Sequence, residues 1–192
     1  MQARDRFLNA FACPSFVALD DFNAMTYNAA PDLKLDLSFV RQVDVPKALI
    51  WRAWSEPQLL KRWFCPKPWL TTECEMDLRP GGLFKTVMQS PEGDEFPNVG
   101  CFLDVQVNHR LVWTNALLPG FRPNRPHSLG VEDSNFFFTA TIELQDHLGG
   151  TRYFAGVQHA DERDCNKHRD MGFEQGWGLA LEQMVDMINQ GI

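Results

Sequence analysis

Residues 160–190 read ADERDCNKHRDMGFEQGWGLALEQMVDMINQ, a proline-free run whose reading decides the fold. Asp161 is a good helix N-cap, with Asp164 three positions on as a capping-box-like partner and acidic charge in the first turn. Gly191 supplies the stop. At roughly 100° per residue, Phe173, Trp177, Ala180, Leu181, Met184 and Ile188 share one face, with Asp170 at its margin. Cys165, His168, Gly172, Gly176 and Leu179 form a second row about half a turn away. The pattern predicts one long helix with two usable faces. Inside it, Gly172 and Gly176 would each cost ~1 kcal/mol relative to alanine, which points to something approaching the backbone closely. A helix of this kind is a post for a sheet to wrap around.

Upstream of the run the pattern turns to strands. Ser38–Val45 reads as a strand, with Phe39, Arg41 and Val43 opposite Val40 and Gln42. Pro46 then opens a short helix whose buried face is Ile50, Ala53 and Trp54. Ser55 is read as the cap of a second short helix, with Pro57 near its start and Leu59, Leu60 and Trp63 inside. In Leu70–Leu78, Thr72, Cys74, Met76 and Leu78 alternate with Glu73, Glu75 and Asp77. Turns at 80–82, 91–94 and 108–109 lead into Leu83–Gln89, Val99–Val107 and Leu111–Leu117. Within Val99–Val107, Cys101, Leu103 and Val105 face away from Phe102, Asp104 and Gln106. Residues 119–134 are rich in proline and glycine and read as a loop, long enough for a lid. Asn135–Gln145 and Thr151–His159 form a hairpin. This order predicts an α+β helix-grip fold. It is a curved antiparallel sheet of about seven strands around a long C-terminal helix, with two short helices after the first strand.

A chain of 192 residues suffices for one domain with a real core. The net charge is −7 and no Lys/Arg-rich block occurs, which argues against nucleic-acid and anionic-membrane partners. Five cysteines, odd in number and without framework spacing, read as reduced thiols of a cytoplasmic protein, with no disulfide expected. Residues 1–24 differ from the rest: Arg4 and Arg6 precede an apolar stretch broken by Asn9, Pro14 and Ser15, and no cleavage site follows. Met25 reads as an alternative start. Residues 1–34 are therefore expected to be a dispensable extension, and residues 35–192 the domain.

Several motifs carry a resemblance. They are Trp51-Arg52-Ala53-Trp54, Leu60-Lys61-Arg62-Trp63-Phe64, Asp77-Leu78-Arg79-Pro80-Gly81-Gly82 and Gly172-Phe173-Glu174-Gln175-Gly176-Trp177. In this order the chain resembles the helix-grip superfamily of START-related and polyketide-cyclase-like proteins (SRPBCC). Ser90-Pro91-Glu92-Gly93, Phe96-Pro97-Asn98-Val99-Gly100, Leu111-Val112-Trp113-Thr114 and the His159…His168 pair are similar to bacterial members of the branch named after the activator of Hsp-90 ATPase. The resemblance covers about Leu35 to Ile188. It implies an inner cavity of the kind the superfamily uses for lipids, hormones and polyketides, and it transfers no catalytic residues.

Several motifs have a plainer reading. Asp77-Leu78-Arg79-Pro80-Gly81-Gly82 joins strand to strand, so it is a turn and not a phosphate loop, which needs a helix N-terminus. No C-x-x-C or H-x-x-x-H spacing exists; Cys74, Cys101 and His159 could all look inward, yet no metal and no cofactor is expected. No nucleophile motif is present, so catalysis would fall to His159, His168 or Tyr153 as acid–base groups. In Thr151–His159, Tyr153, Ala155, Val157 and His159 share the face opposite the helix. The expected site is an apolar cavity lined by Trp63, Met88, Trp113, Phe138 and Trp177. Its polar end is Tyr153, His159 and His168, and Gly172 and Gly176 widen it. The plainer alternative has both histidines bracing the strand-to-helix turn.

Three functions rank in order. The first is binding of a small apolar or aromatic molecule. The second is a cavity enzyme of cyclase or hydratase type with a His or Tyr acid–base group. The third is an Hsp-90-type co-chaperone, disfavoured because the residues before Leu35 are too few for the separate N-terminal domain of the eukaryotic activator. A homodimer is left open.

Overall fold

In a computed structural model the described residues are 32–125 and 136–192. The expectations for residues 1–24 and for the last part of the 119–134 loop lie outside them. Asp32 starts a tight turn: its N–H donates to the Asp36 carboxylate (2.9 Å) and its own carboxylate accepts from the Lys34 N–H (2.9 Å). Strand β1 (Asp36–Val43) follows, burying Leu37 and Phe39 while Val40, Arg41 and Gln42 face out. Pro46 then caps helix α1 (Lys47–Ser55), which buries Ile50, Trp51, Ala53 and Trp54. Helix α2 (Pro57–Leu60) is capped by Glu56 and not by Ser55, because Ser55 is still the last residue of α1.

Strands β2 (Leu70–Met76), β3 (Leu83–Gln89), β4 (Glu95–Gln106) and β5 (Arg110–Thr114) run as a meander. A small pair follows: β6 (Leu117–Leu118) lies just before the segment read as loop, and β7 (Arg122–Pro123) inside its beginning. The hairpin of β8 (Phe138–His147) and β9 (Gly150–His159) completes a seven-stranded antiparallel sheet ordered β1-β9-β8-β5-β4-β3-β2. On β9 the alternation holds: Tyr153, Ala155, Val157 and His159 are buried and Arg152, Phe154 and Gly156 less so.

Alternation fails at two bulges. One between Thr71 and Glu73 buries Thr71 and turns Thr72 out; another between Phe102 and Asp104 buries Cys101 and Phe102 together. An extra residue in one strand breaks the two-residue period, which a linear reading of the sequence carries straight through. The turn reading of residues 77–82 stands. Gly81 has a φ of 76°, the Asp77 and Arg79 carbonyls leave no room for a Cβ at Gly82, and Arg79 pairs with Asp77 (2.8 Å).

The C-terminal run is two helices, α3 (Glu162–Asp170) and α4 (Phe173–Asn189), and this corrects the single helix. Gly172 sits between them in the left-handed region (φ 86°, ψ 41°) as the residue before α4. Of α3 only Cys165 is fully buried, whereas α4 buries Phe173, Ala180, Leu181, Met184, Met187 and Ile188. Such a contrast lets α3 leave the axis that the α4 core face imposes. Of the α4 residues, Leu181, Met184, Met187 and Ile188 each contribute about 1.5–3 kcal/mol on burial. These residues join Phe39, Trp54, Trp113, Ile142 and Val157 in the core that the sheet wraps.

Candidate functional site

The β9-to-α3 connection is short, and it brings two histidines together. Asp161 caps α3, its carboxylate accepting from the Asp164 N–H (2.9 Å), so the helix starts two residues after β9 ends. His168 therefore lies on the second turn of α3, back over His159. The two rings meet edge to face, with His159 Nε2 3.0 Å from His168 Nδ1.

The proton positions follow from the partners. His159 Nδ1 lies 3.0 Å from the Leu35 carbonyl, which can only accept, so Nδ1–H donates. In the neutral pair His159 Nε2 must then accept, and His168 Nδ1–H donates to it. That leaves His168 Nε2 with a bare lone pair. It makes no hydrogen bond among the described residues and is not sealed in the way Trp54 Nε1 is. Phe136, Phe138 and Phe173 surround the His168 ring at centroid distances of 4.9, 6.1 and 5.2 Å. Burial, and secondarily the neighbouring His159, pull its pKa down to about 4, so His168 is neutral at physiological pH.

An aromatic wall runs on from the histidines. Phe173 contacts Trp177 (5.8 Å), Trp177 stacks on Trp54 (6.4 Å), and Trp54 meets Trp63 (4.8 Å) and Trp113 (5.4 Å). The Trp63 indole donates to the Ala53 carbonyl (3.1 Å), which fixes that ring. Gln183 of α4 donates to the Trp63 and Cys65 carbonyls (3.0 and 2.7 Å) and clamps the residues after α2 onto the helix. Beside Gly176 there is open space, since an added Cβ would meet only Pro66, at 4.0 Å; beside Gly172 it would meet only the Gln175 amide oxygen, at 3.8 Å.

The expected residues thus fall into groups. His159, His168, Phe138 and, through Phe173, Trp177 are brought together. Trp63 and Trp113 lie farther along the same wall. Tyr153 is on the same strand face as His159 but six residues away, about 20 Å at ~3.3 Å per residue, so it is no part of the histidine end. Met88 lies on β3 opposite Phe96, with β4, β5 and β8 between it and β9. Gly172 breaks the helix and does not line its interior. Sequence reasoning misses Phe136, which precedes β8, and places Trp54 only on the buried face of α1. Burial pushes the Tyr153 hydroxyl far up, with the Trp54 indole opposing it.

Cys65, Cys74, Cys101 and Cys165 are free thiols. Burial raises all four, Cys74 to about 11, so none offers a thiolate. Among the described residues no three His, Cys, Asp or Glu side chains converge as a metal site; Cys101 is on β4, with β5 and β8 between it and His159. No described helix is long and apolar enough to cross a membrane.

A curved antiparallel sheet closed around a C-terminal helix, with an aromatic interior, defines a helix-grip domain. The profile of the Activator of Hsp90 ATPase homolog 1-like family matches residues 44–189, and the chain belongs to that family. It is similar to a crystal structure of a Nitrosomonas europaea protein, 46% identical, covering 83% of this chain and 97% of that one, with a TM-score of 0.77. A Mycobacterium smegmatis protein (24%, covering 83% and 94%, TM-score 0.66) shares the fold. So does an AHSA1-like protein from Aeromonas hydrophila (18%, covering 81% and 93%, TM-score 0.56). No protein of curated function matches the chain. Proteins of this fold family generally bind hydrophobic ligands.

Proposed function

We propose that the protein binds a small apolar or aromatic molecule between α4 and the sheet, at the histidine end of the aromatic wall. The observation that carries this reading is the His159–His168 pair. One unsatisfied acceptor, His168 Nε2, is presented from within a cage of Phe136, Phe138 and Phe173. Apolar walls with one convergent polar group are the usual design of a ligand pocket. The free thiols of the four cysteines among the described residues fit a reducing cytoplasm as the place of action.

Nile red binding tests this. Gly172→Leu is a poor probe, because a leucine at φ 86° strains the backbone whatever the space. Gly176→Leu is better placed: it grows from a regular helical position into the opening near Pro66. We expect it to abolish dye fluorescence enhancement while circular dichroism stays unchanged. Undiminished binding puts the pocket elsewhere.

The pair also favours one second reading, an acid–base enzyme. A proton taken at His168 Nε2 can be relayed through Nδ1–H to His159 Nε2, with the charge held beside the Leu35 carbonyl. Turnover of a co-purified molecule that is lost in His159→Ala supports this reading; binding without turnover leaves the first.

A further inference from the structure

Through two imidazoles, the Leu35 carbonyl fixes the polarity of the group that His168 presents from the phenylalanine cage. Both ring nitrogens of His159 are engaged, Nδ1 by that carbonyl and Nε2 by His168 Nδ1, at 3.0 Å each. With the opposite tautomers, His159 Nδ1 would aim a lone pair at the carbonyl oxygen, a repulsive contact at that distance. The same oxygen accepts from the His159 backbone N–H (3.0 Å), which keeps it in place. A backbone group thus dictates that His168 Nε2 accepts and does not donate. There is room beside that nitrogen. His168 is only half-buried, and its Nε2 has no partner among the described residues yet is not a sealed atom, so it looks onto open space. Next to Phe173 in the chain, a Cβ on Gly172 would meet nothing nearer than the Gln175 amide oxygen, at 3.8 Å.

We infer that the ligand donates a hydrogen bond to His168 Nε2 from an uncharged hydroxyl on its apolar or aromatic body. An ether or a ketone has no proton to offer a lone pair, and a carboxylate would set its own lone pairs against it. An ammonium group can donate. Yet the hydrogen bonds of the histidine pair end on the neutral Leu35 carbonyl and reach no carboxylate that would offset the cost of taking a cation out of water. The rings of Phe136, Phe138 and Phe173 suit the apolar body beside the hydroxyl. Burial keeps the His168 ring neutral, so the lone pair is available at physiological pH. The inference rests on the pocket reading above and adds the ligand's chemical class.

2-Naphthol and 2-methoxynaphthalene test it, since both carry an oxygen on the same ring system and only the naphthol can donate. His168→Phe keeps an aromatic ring in the cage and removes the acceptor, so it supplies the baseline for the difference in hydrophobicity. The preference of the wild-type protein for the naphthol should exceed that of His168→Phe about five- to tenfold, the range of one net hydrogen bond. In a ¹⁵N spectrum of the wild-type protein, the unprotonated His168 Nε2 should move upfield with the naphthol and stay with the ether. That resonance decides the matter even if His168→Phe fails to fold. An equal preference in both proteins, or a His168 Nε2 resonance that ignores the naphthol, overturns the donor contact and leaves the pocket standing. If Nile red binds and neither naphthalene does, the ligand class is wrong. If none of the three binds, the pocket reading falls and the donor contact with it.

Discussion

Helices α3 and α4 come from one proline-free run, yet different forces hold them. Helix α4 is a core element: six of its side chains are buried, and its ends need little help. Helix α3 buries Cys165 alone and depends on local devices. These are the Asp161 cap, acidic residues in its first turn, Lys167, His168 and Arg169 in its last, and the contact of His168 with His159. Burial yields rigidity with no chemistry attached, whereas a helix docked through a histidine pair places a titratable group against an apolar wall. The break at Gly172 lets the two coexist.

The sharpest way to break this comparison is to strike the α4 core. Met184 is fully buried, and Met184→Ala should cost about 3 kcal/mol in urea denaturation. A loss below ~1 kcal/mol would mean that α4 is not held by its buried face.

The next effect is one of pH, and it isolates α3. His168 falls from an ordinary 6.5 to about 4 in the folded protein, so between those values the unfolded chain binds the extra proton. Stability is therefore fully present above pH 6.5 and declines as pH falls toward 4, by on the order of 2 kcal/mol once partial exposure is allowed for. His168 faces His159, and elsewhere on α3 the Cys165 thiol carries Arg169, with Asp36 and Glu162 acting on that thiol. His168→Phe should flatten this part of the stability–pH curve. A curve of unchanged slope would remove the histidine pair from the docking of α3.

Much of this contrast was legible in the sequence, and what was not has a physical cause. Period-two alternation put His159 inward, and the short turn put His168 near it, because both facts are local. The break at Gly172 stayed hidden because apolar periodicity runs on through Phe173 and Trp177, and a glycine's left-handed φ is selected by how α3 docks. Bulges at Thr71–Glu73 and Phe102–Asp104 hid for the same reason. Trp54 sits on the expected face of α1, but its contact with the Tyr153 hydroxyl across the core is a property of its neighbours and not of its position in the chain.

Smaller effects should come from the devices between the helices. Gly172→Ala puts a Cβ at φ 86°, and Asp161→Ala removes the cap on the Asp164 N–H. Each is expected to cost about 1 kcal/mol in thermal denaturation. If the Gly172 variant is as stable as wild type, α3 and α4 can join as one helix and the break is not imposed by docking.

The smallest effect concerns the N-terminus, and two truncations make it decisive. Residues 1–24 share neither the family motifs nor a sustained hydrophobic pattern, and every strand of the described sheet lies at residue 36 or beyond. Removing them should move the melting temperature by less than ~5 °C, a shift that would mark ~1 kcal/mol or more for a domain this size. Removing residues 1–35 is a different experiment. The Leu35 carbonyl accepts from both the backbone N–H and the Nδ1–H of His159 (3.0 Å each), and Lys34 lies 3.8 Å from Glu162 on α3. The longer cut takes the anchor away from the histidine pair, so it should lower the melting temperature further and weaken Nile red binding, while the shorter cut leaves both in place. Equal behaviour of the two truncations would show that the pair orients itself without Leu35, and would turn attention to the phenylalanine cage as what holds His168.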